Sequence, residues 1–217
     1  MIVAERKPLD EIIGMVRPFK NILILGCGTC VTVCNVGGER EVSLLDAALR
    51  VAITKGMLEE KVISQYTVKR QCDKEFLTPL LGKAEEIDAI LSLACGVGVQ
   101  VLADTFSDIT CIPGVNTIFM GAQPEMGVWD ERCIGCGDCR LFETLGICPL
   151  SRCAKGILNG PCGGSKNGKC EANKDVDCAW LLIYDRLERR GQLEKMRQYY
   201  PPRDYGRLRR PKRVTIL

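Results

Sequence analysis

Residues 1–125 repeat one pattern: a short apolar run, a turn residue, then a stretch whose apolar positions recur at helical spacing. Residues 21–25 (NILIL) are an apolar run that stops at Gly26, the mark of a buried strand. Residues 41–55 place Leu44, Leu45, Ala48, Val51 and Ala52 on one helical face, and Gly56 ends that helix. Residues 61–68 (KVISQYTV) are rich in β-branched side chains and read as a second strand. Residues 74–86 read as a helix bent by Pro79, residues 89–94 (AILSLA) as a buried strand, 97–105 as a helix and 109–112 as a last short strand before Pro113-Gly114. Strands that alternate with helices predict a parallel sheet covered on both faces, with the strand C-termini along one edge.

From about Gly127 the pattern is lost. Residues 127–178 hold eight cysteines and nine glycines without a long periodic segment. Such a stretch buries little apolar surface, so metal coordination is the expected source of its folding energy. A helix is predicted over residues 179–200, with Leu181, Leu182 and Leu187 near helical spacing, an interruption at Gly191 and a stop at Pro201-Pro202. The expected architecture is α/β. A parallel-sheet, Rossmann-like domain occupies residues 1–125. A small ferredoxin-like, cysteine-rich metal-binding domain occupies residues 126–217 and ends in a C-terminal helix and a basic tail.

Composition narrows the chemistry. Fourteen cysteines and no histidine occur in 217 residues. Thiolates are soft donors that hold iron–sulfur clusters or zinc, and without imidazole any such site is all-thiolate. The chain opens MIVAERKPLDEII, which has no apolar signal core. A reducing cytoplasm is therefore expected, and it disfavours disulfides. The longest apolar stretch, residues 89–103, is too short for a membrane span. A net charge of +3 gives no bulk attraction to nucleic acid. Arg203, Arg207, Arg209, Arg210, Lys212 and Arg213 share the tail with one acid, Asp204, and read first as a solvated charge run. Asp88, Asp104 and Asp108 read as solvated ends of elements, Cys111 reads as core, and no acid–base constellation is evident.

The cysteines fall at the joints of this pattern. Cys27, Cys30 and Cys34 follow the first strand, Cys72 the second and Cys95 the third, so topology brings them to one rim. Gly26-Cys27-Gly28-Thr29-Cys30-Val31-Thr32-Val33-Cys34 lets a bulky ligand approach the backbone, and its three thiolates suit one cubane cluster. Cys95 is the expected fourth ligand, with Cys72 as the alternative. A dinucleotide fingerprint fails here, since Val31 stands at the third glycine position. Cys133, Cys136 and Cys139, followed by Cys148-Pro149, follow the bacterial ferredoxin pattern except for a gap of eight residues, 140–147, where three are usual. Cys153, Cys162, Cys170 and Cys178 complete the set. Two partitions stay open. In one, Cys148 joins Cys153, Cys162 and Cys170 while Cys178 returns to the first three; in the other, the cysteines group in chain order. Zinc is the alternative to iron for residues 153–178, where Asn159-Gly160-Pro161-Cys162-Gly163-Gly164 has the turn chemistry of a zinc knuckle.

The strings LGCGTCVTVCNVGG, LSLACGVGVQVLAD, PGVNTIFMG, CIGCGDC and NGPCGGSKNGKCE, with CAWLLIYDRL, resemble the small iron–sulfur subunit (MetV type) of bacterial methylenetetrahydrofolate reductase. The second half looks like the C-terminal cysteine-rich domain associated with that enzyme. The resemblance implies an electron-transfer subunit with two or three [4Fe–4S] clusters, zinc being the alternative at one of them. It implies a flavin-bearing catalytic partner subunit and leaves room for further electron-transfer subunits. The competing expectation is a structural zinc and iron–sulfur adaptor that docks subunits without carrying electrons.

Overall fold

Ile22 and Ile24 join one cluster of buried side chains, while Leu23 and Leu25 join another. This strict alternation sends apolar groups to both faces of one sheet, as a parallel sheet with two covered faces requires. In a computed structural model the chain is described for residues 1–208 and 210–215, with the side chains of 83–85 and 208 set aside. Arg209 of the predicted tail lies outside the described residues.

The elements run β1 (Ile2–Arg6), α1 (Leu9–Val16), β2 (Asn21–Cys27), α2 (Cys30–Val33), α3 (Glu39–Thr54), β3 (Val62–Val68), a 3-10 segment (Lys74–Glu86), β4 (Ala89–Ser92), α4 (Gly96–Thr105), β5 (Thr110–Pro113), β6 (Val115–Glu125), β7 (Val128–Cys133) and α5 (Ala179–Arg189). Short 3-10 turns at Leu193–Arg197 and Tyr205–Leu208 follow. Contacts divide the chain into two compact units, Met1–Phe119 with Glu125–Gly127, and Met120–Pro124 with Val128–Leu217. Among the described residues no helix is long and apolar enough to cross a membrane.

The first unit is built on a four-stranded parallel sheet of order β3-β2-β4-β5. Asn21 pairs with Val62, Ile22 with Ala89, and Ala89 with Thr110. One face is covered by α1 and α3, through Ile12, Val16, Val42 and Leu49. The other is covered by the 3-10 segment and α4, through Leu77, Leu80, Leu102 and Phe106. The parallel α/β expectation is met. After β2 the chain moves to one side to form β3, then crosses back to form β4 on the other side. The strand order therefore reverses between β2 and β4.

Several elements differ from the sequence reading. β1 and α1 were not anticipated. Neither was the antiparallel sheet of order β1-β6-β7, whose last strand lies in the stretch read as irregular. Lys74–Glu86 is 3-10 rather than α-helical, and Pro79 inside it removes a backbone donor. The C-terminal helix stops at Arg189, where Gly191 takes a left-handed φ of 62° and turns the chain. Asp88 is not an idle strand end. Its Oδ2 accepts from the backbone N–H groups of Lys20 (3.0 Å) and Asn21 (2.7 Å) and so ties the starts of β2 and β4.

At the opposite edge Gln71 is wholly buried. Its Nε2 donates to the carbonyls of Leu25 (2.9 Å) and Gly26 (3.1 Å), and its Oε1 accepts from Ser92 Oγ at 2.6 Å. Ser92 Oγ in turn accepts from the N–H of Ala94 at 3.2 Å. Gln71→Leu should strand the buried Ser92 hydroxyl. The expected cost is roughly 1–3 kcal/mol, read as a lower urea midpoint with an unchanged slope.

Candidate metal centres

An open parallel sheet binds ligands beyond the strand C-termini at the point where strand order reverses. Here that point is the crevice between the exits of β2 and β4. Cys27 is the last residue of β2, and Cys95 is the N-cap of α4 after β4. The loop after β2 is drawn tight. Cys27 N–H donates to Gly37 O (2.8 Å), and Thr32 Oγ1 donates to Cys27 O (2.7 Å). α2 is a single turn that ends at Cys34, and Asn35 turns the chain with φ 56°. Gly37 lies so close to the backbone of β4's exit that any Cβ there would overlap the carbonyl oxygen of Leu93. The Cys27–Cys34 loop is thus pressed against the strand exit that leads to Cys95.

The thiols at this edge sense one another. The Cys72 thiol is pushed above its ordinary range, first by loss of water around it and then by the negative charges of Cys27 and Cys95. The Cys34 thiol is also raised, first by burial, with a contribution from Cys30. Its Sγ points to the carbonyl of Ile2 on β1, 3.6 Å away. Cys27 and Cys34 are buried, Cys30 and Cys95 are half-buried, and Cys72 is exposed. Gln71, adjacent in sequence to Cys72, anchors the chain there to the ends of β2 and β4, and a lone buried glutamine leaves no mark in hydrophobic patterning. Cys111 lies inside β5, beside Ile90, and burial alone pushes its thiol up to about 11.

The second unit carries the other eight cysteines. Cys133 ends β7 and is exposed, as is Cys139; Cys136 is half-buried. Gly135 and Gly137 take left-handed φ values of 63° and 77°, which curl the backbone around the sulfurs. The Gly135 N–H points at Cys133 Sγ at 3.4 Å, and the Ser151 N–H at Cys148 Sγ at 3.5 Å. Amides aimed at sulfur are a donor arrangement that tunes thiolate-held metal sites. Ser151 Oγ also donates to Arg132 O at 2.8 Å, which fastens the Cys148 turn beside the start of the C-x2-C-x2-C loop. Cys153 and buried Cys178 share the unit's apolar cluster with Ile147, Trp180, Ile183 and Leu187. Cys162 Sγ lies 3.9 Å from both Lys155 Nζ and Glu171 Oε1, and Lys155 also feels the charge of Cys170. Lys155 and Glu171 are themselves paired.

All-sulfur donor sets, amides directed at sulfur and glycine-lined turns suit iron–sulfur clusters or zinc. Among the described residues no three Cys, Asp or Glu side chains are already gathered as a metal-holding group. The comparisons bear on the second half. Residues 112–206 match the family described as methylene-tetrahydrofolate reductase C terminal. The match begins inside β5 and takes in all eight cysteines from Cys133 to Cys178. No curated protein and no solved structure matches the chain.

The raised Cys111 thiol gives a pH signature. Its folded-state value lies above the unfolded value of 9.0, so its neutral form contributes stability that is complete below pH 9 and is lost as pH rises toward about 11. Cys111→Ala should flatten the stability profile across that window. Alkylation at pH 8 followed by peptide mapping should find Cys111 labelled more slowly than exposed Cys72; equal rates would contradict its raised value.

Proposed function

We propose that this chain is an iron–sulfur electron-transfer subunit of a methylenetetrahydrofolate reductase complex, exchanging electrons with a flavin-bearing catalytic subunit. The observation that carries the reading is the match of residues 112–206 to a family named for that enzyme, over the segment that holds eight of the cysteines. The placing of the remaining thiols at the sheet's switch point supports it. Clusters held by thiolates supply one-electron storage and transfer, tuned by burial and by hydrogen bonds to sulfur.

In this reading Cys27, Cys30 and Cys95 are ligands of one cluster at the β2/β4 crevice. Spacing groups Cys34 with Cys27 and Cys30 and leaves Cys95, or Cys72, as the fourth. The turning of Cys34 Sγ toward the carbonyl of Ile2, 3.6 Å away, favours Cys72 in its place. In the second unit, the tie between Ser151 and Arg132 favours grouping in chain order: Cys133, Cys136, Cys139 and Cys148 in one site, and Cys153, Cys162, Cys170 and Cys178 in the other. The backbone amides of Gly135 and Ser151 then stabilise ligand charge. The apolar surroundings of Cys153 and Cys178 suit a structural site, and zinc is the metal proposed as the alternative there. The flavin and folate chemistry falls to the partner in this reading.

Anaerobic purification followed by iron, zinc and sulfide analysis with EPR tests it. A brown preparation with a reducible cluster signal is expected. A colourless one holding zinc but no iron would leave only the docking-adaptor reading. Single Cys34→Ala and Cys72→Ala variants should divide: loss of about one cluster's iron is expected for Cys72→Ala, with iron retained in Cys34→Ala. The opposite pattern restores Cys34. Chelation should expose residues 128–208 to protease before residues 1–119, because metal is the main stabiliser of the second unit. Equal digestion of both segments would contradict that.

A further inference from the structure

The basic C-terminal segment is not a free tail. Arg207 Nη1 donates to the carbonyl of Gly137 at 3.4 Å, and its guanidinium pairs with Asp138 and Asp204, each at 3.8 Å. Lys212 Nζ stands 3.8 Å from the place a Cβ on Gly137 would occupy. The segment is therefore seated on the loop that carries Cys133, Cys136 and Cys139. Asp138, the acid within that loop, is already engaged by Arg140 at 2.9 Å as well as by Arg207. Arg210, Lys212 and Arg213 are exposed, and among the described residues no acid pairs with them. The result is a run of exposed cations anchored by Arg207 and Lys212 at a cysteine loop two of whose thiols are themselves exposed.

We propose that this surface, formed by Arg207, Arg210, Lys212 and Arg213 beside the Cys133–Cys139 loop, docks a small acidic electron-carrier protein. The proposal rests on the electron-transfer reading above and adds the entry point and the chemistry of the donor. An acidic carrier approaching a cationic patch is steered to it, and the effect weakens with ionic strength. Cys133 and Cys139 of that loop are themselves exposed, so the same patch that attracts the carrier lies beside sulfurs it can approach. One electron leaves the reduced carrier and one is gained by the centre these cysteines hold; no bond forms or breaks and no proton moves. The cations crowd a loop of metal-binding thiols rather than an aromatic platform, which favours a redox protein over single-stranded nucleic acid.

The test uses the full chain, reconstituted anaerobically, and a double variant R210E/R213E, which leaves Arg207 and its contacts in place. Circular dichroism confirms its fold. An acidic bacterial-type ferredoxin is the probe, in a binding measurement and in stopped-flow reduction, at low ionic strength and at about 0.15 M. Photoreduced deazaflavin is the small-molecule reductant used as control. Expected is a loss of at least about tenfold in ferredoxin affinity and in its second-order rate, both in the variant and on adding salt to the wild type. Reduction by deazaflavin should be unchanged. Equal ferredoxin affinity and rate in variant and wild type would overturn the proposal while leaving the electron-carrying role intact. So would tighter binding of single-stranded RNA than of ferredoxin. If no reducible centre is found, the electron-carrying role fails. The binding arm then still decides the docking surface: lost ferredoxin affinity in the variant supports it, unchanged affinity removes it.

Discussion

The pairing of β2 with β4 is the constraint on which the first candidate centre depends. These two strands are adjacent, but the chain visits β3 between them. Their ends therefore diverge into separate loops, one bearing Cys27 to Cys34 and the other Cys95. The register is held at both edges. Asp88 grips the backbone where the strands begin, and Gln71 grips it where they end. A sheet packed on both faces cannot slip by one residue without exchanging its two apolar clusters, because Ile22 and Ile24 serve one and Leu23 and Leu25 the other. The same apolar alternation that stabilises the unit fixes where the sulfurs stand.

Polar burial at the edge is the costly part of this design. A glutamine with no exposed surface is tolerated because its amide nitrogen meets two carbonyls and its oxygen meets a hydroxyl. Close packing at the same edge restricts the neighbouring positions. Gly37 fits beneath Leu93 only because it lacks a side chain, and Gly98 does so against Ala94 and Gln71. In the electron-transfer reading proposed above, such rigidity has a physical use: ligands that do not rearrange when charge changes impose little reorganisation on electron exchange.

Much of this was legible from residue order. The runs at residues 21–25, 61–68 and 89–94 announced the central strands, and the cysteines at their ends announced the shared edge. What was not legible has physical reasons. Ile2–Arg6 is a short strand whose last residues are exposed, so its pattern is weak, and Leu9–Val16 is only eight residues long. Val115–Glu125 alternates imperfectly, with most of its residues exposed or half-exposed, and it pairs antiparallel. Lys74–Glu86 has helical periodicity, but a 3-10 path shares much of that signal, and Pro79 tips the balance. The approach of Cys72 to Cys27 and Cys95 could be anticipated only as a shared edge. Gln71 beside Cys72 is invisible to patterning as well, because its partners are two backbone carbonyls and the Ser92 hydroxyl, which no residue pattern specifies.

The two units place their cysteines in opposite ways. In the first, a conventional apolar core fixes the backbone, and the cysteines are appended to strand ends that would stand without them. In the second, the fully buried apolar side chains are few, Ile147, Trp180, Ile183 and Leu187, and Cys153 and Cys178 pack among them, so core and cysteines overlap. Trp180 shows how the overlap works. Its Nε1 donates to Ile157 O at 2.9 Å, and its ring lies against Gly160, where a Cβ would come within 2.5 Å. The turn that delivers Cys162 is thereby braced by the first residues of α5, and Cys178 is the N-cap of that same helix. Packing of one helix thus sets two ligands of the proposed chain-order site at once. Any change that loosens Trp180 would act on metal affinity and on fold together, whereas at the β2/β4 edge the two should be separable.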